Sequence, residues 1–168
     1  IMITIIHFVP SAIENPKDYE ARANLMFAST LALNGLSGFG KTWDGFNHTT
    51  EHVLSAHYDI AHGDGLAITA VHWMNYILDE TTVDKFYQFA VNVWDIEPSG
   101  NKINVAKQGI KAMTMFYQSI GMPTTLKEVD IVEPNFDLLA KQAFRNGSLG
   151  RFKSLTQKDV KKILINAK

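Results

Sequence analysis

Apolar positions along this chain recur at the three- and four-residue spacing of helices, and the two-residue alternation of strands is scarce. Val83, Phe86, Ala90, Val93 and Trp94 make one such stripe; Ile103, Ala106, Ile110, Met113, Tyr117 and Ile120 make another. Asn15-Pro16 predicts a helix start, because asparagine accepts from a first-turn N–H and proline's missing N–H has no partner there anyway. That helix runs to about Asn34 and closes at Gly35. Its small residues (Ala21, Ala23, Ala28, Ser29, Ala32) alternate with Leu25, Met26, Leu31 and Leu33 on more than one face, so other helices are expected all round it. Thr156 predicts the cap of a last short helix carrying Val160, Ile163 and Leu164, with Asp159 well placed in its first turn. Loops are marked at residues 35–41, 97–100, 121–123 and 145–150 by their glycines and prolines. The pattern predicts an all-α, multi-helix bundle forming a single domain over residues 1–168.

Composition narrows the function classes. With 46% hydrophobic and 20% charged residues, the chain is of ordinary globular type. Its 16 basic and 17 acidic residues leave a net charge of −1, which gives no electrostatic basis for holding nucleic acid. No apolar run reaches membrane-spanning length. Cysteine is absent, which excludes disulfides and thiolate metal sites and agrees with a reducing, cytoplasmic setting. The opening Ile1–Val9 run has no basic leader and no capping residue before it, and reads as the continuation of a longer chain.

The candidate chemistry sits in one short stretch. Five of the six histidines, namely His48, His52, His57, His62 and His72, fall between residues 48 and 72, several-fold more than an even spread would place there. His48 and His52 are four apart and share a helical face, and His62 follows a turn and opens another helix. Imidazoles converging from both sides of a turn suit a borderline cation such as Zn²⁺ or Fe²⁺. The bland alternative makes these histidines surface or hydrogen-bonded core residues. His48-Thr49-Thr50-Glu51-His52 also fits H-x-x-E-H, in which Glu51 would activate water in a zinc hydrolase, with Glu80, Glu97 or Glu128 as third ligand.

Longer ordered matches favour another reading. Tyr19 through Leu36, the segment His48–Ala67 with its His62-Gly63 step, and the ending from Leu149 through Val160 together resemble the iron-containing alcohol dehydrogenases. The butanol-dehydrogenase branch is the most similar. The resemblance covers nearly the whole chain, and it implies the metal-binding helical domain of such an enzyme without its Rossmann-like nucleotide domain.

Position by position, the resemblance implies that His48 and His62 are metal ligands and that His52 lies beside the nicotinamide and assists proton transfer. It implies a divalent metal, Fe²⁺ by family or Zn²⁺, acting as Lewis acid on a small alcohol or aldehyde, and NAD or NADP as hydride carrier. It assigns no chemistry to His57 or His72, and leaves Asp59 to support the turn before His62. Two further ligands, an Asp and a His four residues apart, belong to a preceding segment. Asp44 and His48 share that spacing but stand elsewhere in the family pattern. A truncated helical domain is therefore expected, with a missing nucleotide-binding domain as its partner and homo-oligomers as a further possibility. A non-enzymatic helical subunit pairing with a separate nucleotide-binding chain is the alternative.

Overall fold

The computed structural model describes residues 1–168 and contains eight α-helices, two short 3-10 turns and no sheet. The only strand-like pairing is an isolated antiparallel bridge between Leu149 and Leu155. The all-α expectation holds. None of the helices is long and apolar enough to cross a membrane. The chain divides into two compact units, residues 1–43 and 44–168.

In the first unit, α1 (Met2–Glu14) packs against α2 (Tyr19–Leu33), and a 3-10 turn follows at Leu36–Gly38. Here the structure corrects the predicted start of α2. Asn15 ends α1, its N–H donating to the Ser11 carbonyl, and Asp18 is the cap, accepting from the Ala21 N–H at 3.0 Å. Two capping residues stand three apart, and α1 takes the first as its terminus. Gly35 closes α2 as expected, at φ +84°, where a Cβ would be strained. The expectation that α2 is enclosed on all sides does not hold. Ala21 and Ala28 are buried seven residues apart, whereas Met26, Phe27 and Leu33 are between 64% and 90% exposed. The unit offers α2 only one other helix to pack on, so one face at most can be covered within it.

In the second unit, α3 (Phe46–Tyr58) and α4 (His62–Ile77) form a corner. It is followed by the hairpin of α5 (Val83–Trp94) and α6 (Lys102–Ser119), then by α7 (Phe136–Ala143) and α8 (Gln157–Asn166). α4 lies against α6 and α8, and α3 lies against α7. The core is built from Phe46, Leu54, Ile68, Ile77, Ile110, Leu126, Leu139, Ile163 and Leu164, all at most 1% exposed. Each such side chain contributes about 1.5–3 kcal/mol on leaving water. An aromatic row of Phe46, Trp73, Phe86 and Phe152, with centroids 5.9–6.5 Å apart, fixes the root of α3 against α4 and α5. The Leu126 N–H donates to the Ala167 carbonyl at 2.7 Å, tying the end of α8 to the middle of the chain.

Candidate metal centre

The corner between α3 and α4 carries the histidines. On α3, Phe46, Thr50, Glu51 and Leu54 face inward and are at most 1% exposed. His48 and His52, one turn apart, stand on the exposed side. The root of α3 is held by Asp44, whose carboxylate accepts from the backbone N–H groups of Phe46 (3.0 Å), Arg151 and Phe152 (both 2.7 Å). That carboxylate is committed to backbone, which accounts for Asp44 without a metal role. The helix ends at Asp59, in the left-handed conformation at φ +53°, with its N–H on the Ser55 carbonyl. An extended Ala61 then starts α4 at His62. Asp59 thus supports the turn through its backbone.

This path brings the three predicted histidines together. Ring centroids are 6.1 Å apart for His48–His52, 5.4 Å for His48–His62 and 5.5 Å for His52–His62. The His52 and His62 side chains are 68% and 52% exposed, so the cluster is open to whatever approaches the corner. Partial burial, reinforced by the nearby His62 and His52 and opposed by Glu51, holds His48 below the ordinary histidine range. This favours the neutral imidazole that a metal requires. The donor set fits a borderline divalent cation: imidazole nitrogens, no thiolate, and one ring already held by a carboxylate.

That carboxylate is Glu51, fully buried. Its Oε2 lies 2.5 Å from His62 Nδ1 and 3.8 Å from His52 Nε2, and its Oε1 is hydrogen-bonded by the Ser55 hydroxyl. Glu51, His52 and His62 can each present a ligand atom within 4.8 Å of the others, a different trio from the His48–His62 pair that the resemblance implies. The 2.5 Å separation decides against taking Glu51 Oε2 and His62 Nδ1 as two ligands of one ion. Donors about 2.1 Å from a tetrahedral metal stand roughly 3.4 Å apart. The contact is a hydrogen bond. Its burial and pairing also turn Glu51 away from the water-activating role of the hydrolase reading.

The remaining histidines have other work. His57 Nε2 is 2.6 Å from Gln142 Oε1, and His72 Nε2–H donates to the Thr124 carbonyl at 2.9 Å. Desolvation by burial lowers the His72 pKa. Glu128 closes a capping box, accepting from the Thr124 and Thr125 N–H groups at 2.8 Å, far from any ligand role. A groove of about 880 Å³ runs between α3 and α7 from His52, lined by Thr49, Val53, Lys141, Phe144 and Arg145 among others. Sequence reasoning missed its α7 wall, because no motif links those residues to the histidines.

The whole of residues 1–168 matches the description "Fe-containing alcohol dehydrogenase family, C-terminal". NADH-dependent butanol dehydrogenase A of Clostridium acetobutylicum is 44% identical over 165 residues, covering 97% of this chain and 42% of that protein. The crystal structure of NADH-dependent butanol dehydrogenase A from Thermotoga maritima superposes with a TM-score of 0.90 at 36% identity, over 98% of this chain and 43% of its own. Escherichia coli YqhD gives a TM-score of 0.93 at 31% identity, over 99% and 43%. The chain thus spans about two fifths of the length of these relatives.

Proposed function

This chain belongs to the Fe-containing alcohol dehydrogenase family, and on that premise we propose that it is the C-terminal, metal-holding part of an NAD(P)-linked alcohol dehydrogenase. The reaction is the interconversion of a primary alcohol such as butanol and its aldehyde. The observation that carries the proposal is the convergence of His48, His52 and His62 at one corner, in a segment that resembles the family's metal segment.

His48 and His62 would hold a divalent metal, Fe²⁺ or Zn²⁺, with two more ligands, an Asp and a His, from a segment preceding this chain. Such a metal would supply Lewis acidity toward an alcohol oxygen, and NAD or NADP, held by a separate nucleotide-binding domain, would serve as the hydride carrier. His52, one turn from His48 and open to the groove, would lie beside the nicotinamide and assist proton transfer. In this reading residues 1–168 are the helical, metal-holding part of such an enzyme.

Zinc titration of the purified chain, followed by competition with a chelator, tests the assignment. Two imidazoles fall short of the three or more protein ligands usual in a catalytic site. Binding is therefore expected to be weak and readily reversed, to disappear in His48→Ala and in His62→Ala, and to survive in His52→Ala. Tight stoichiometric binding by the chain alone that vanishes in His52→Ala or Glu51→Gln would instead support a self-contained site of the hydrolase kind.

A further inference from the structure

A glutamate with no exposed surface, on a helix whose neighbouring histidines are open to solvent, requires a reason. Taking a carboxylate out of water is costly unless its oxygens are matched by donors. Here each oxygen has a partner. Ser55, one turn along α3, donates to Oε1, and its oxygen also lies 3.1 Å from the Ile60 carbonyl. Oε2 faces His62 Nδ1 at 2.5 Å, with His52 Nε2 farther off at 3.8 Å. The space for the side chain comes from across the corner. A Cβ at Gly65, one turn into α4, would stand 2.6 Å from Glu51 Cγ and 3.2 Å from Oε1. A serine on its own helix and a glycine on the next one thus both accommodate this carboxylate.

We propose that Glu51 is a positioning residue for His62: its buried carboxylate accepts the Nδ1–H hydrogen bond, fixes the ring's tautomer and leaves Nε2 as the nitrogen with a free lone pair. An ionised carboxylate only accepts, so the shared proton belongs to Nδ1 and the opposite ring nitrogen is the one able to ligate. Ligating histidines elsewhere are commonly held in this way by carboxylates, which orient the ring and raise its basicity. The inference rests on the reading of His62 as a metal ligand, but the tautomer it predicts exists with or without metal.

The experiment is nitrogen-15 NMR of the histidine rings in the metal-free chain above the histidine titration range, followed by a Zn²⁺ titration. In the unsubstituted chain His62 is expected as the Nδ1–H tautomer. Glu51→Gln, whose amide oxygen still accepts, should retain it, and Glu51→Ala should lose it. Zinc affinity at His62 should fall by about ten- to hundred-fold in Glu51→Ala and be largely restored in Glu51→Gln. A His62 ring found as the Nε2–H tautomer in the unsubstituted chain overturns the proposal, and that measurement needs no variant to fold. An unchanged tautomer in a folded Glu51→Ala chain also overturns it, since Glu51 would then only staple α3 to α4. So does a loss in Glu51→Gln equal to that in His62→Ala, since Glu51 would then be a ligand. If His62→Ala leaves zinc binding untouched while the tautomer is as expected, it is the metal reading of His62 that fails.

Discussion

At the residue scale, Tyr76 and Asp159 offer a check that is independent of the metal. The Tyr76 hydroxyl donates to Asp159 Oδ1 at 2.5 Å. Burial, helped by that carboxylate, pushes the phenol up to about 12. Asp159 is held below the ordinary carboxylate range, first by Thr156 in the α8 capping box and then by Tyr76. An unfolded tyrosine ionises near 10. The raised folded value therefore contributes stability that is fully present below about pH 10 and is lost as pH climbs to about 12. Asp159 works in the other direction: its contribution is present above the unfolded carboxylate value near 4 and is lost as pH falls through the lower folded one. Phenolate absorbance should show a step near pH 12 that disappears in Tyr76→Phe and moves down in Asp159→Asn. Thr156 and Asp159 were legible in advance as a cap, because capping residues act on their immediate neighbours. The pairing with Tyr76 joins residues 83 apart and left no local mark. Glu51 was hidden differently. The sequence offered it only as the glutamate of the H-x-x-E-H pattern, and the positions of Ser55, His62 and Gly65 show why it is buried.

Among the elements, the α5–α6 hairpin depends on one close approach. A Cβ at Gly109 would lie 2.5 Å from Ala90 Cβ and 2.6 Å from Ala90 Cα, so the two helices touch through their smallest residues. Gly109→Ala should destabilise the fold by about 1–3 kcal/mol through overpacking, although alanine is the better helix former. Urea unfolding should show the loss, and adding Ala90→Gly should recover only part of it, because the Cα clash remains. Both helices were readable as amphipathic stripes, whose inward positions Val83, Phe86, Ala90, Ala106, Ile110 and Met113 are buried. The other end of the chain was less readable. α1 contains Pro10 and has no side-chain cap, so periodicity and punctuation disagreed there. The start of α2 was misplaced by three residues for the related reason that Asn15 serves the helix before it. The convergence of His48, His52 and His62 could be foreseen from a four-residue spacing and a short turn. The Lys141 and Arg145 side of the groove could not, since only the packing of α3 on α7 brings it near.

On the scale of the whole molecule, the chain is about two fifths as long as its relatives, and its own residues provide only part of what the proposed reaction requires. Hydride transfer needs a nicotinamide held in register with the alcohol carbon, which is a matter of positioning. The purified chain is therefore expected to produce no NADH from butanol and NAD. Co-expression with the portion of a butanol dehydrogenase that this chain does not cover should produce turnover, and His48→Ala should abolish it. Butanol oxidation by the chain alone, lost in His48→Ala, would show that portion to be dispensable. Met26, Phe27, Leu33, Phe39 and Trp43 are each between 64% and 90% exposed, and covering apolar side chains of this size would favour such an association, or self-association in its absence.

The corner between α3 and α4 also bears on the order of assembly. His48 and His62 are fourteen residues apart, joined by one helix end and a left-handed turn at Asp59. The entropy of closing so short a loop is small and grows only slowly with length. The meeting of these two histidines is therefore set mainly by local chain, while distant contacts, the Arg151 and Phe152 N–H groups on Asp44, fix the root of α3. Under the proposed function the complement of this pair would come from a separate segment, at the full entropic cost of a long-range encounter. In the proposed site the two histidines would hold a cation only weakly until the remaining ligands arrive, so this half of the geometry would stand ready before any metal is firmly bound.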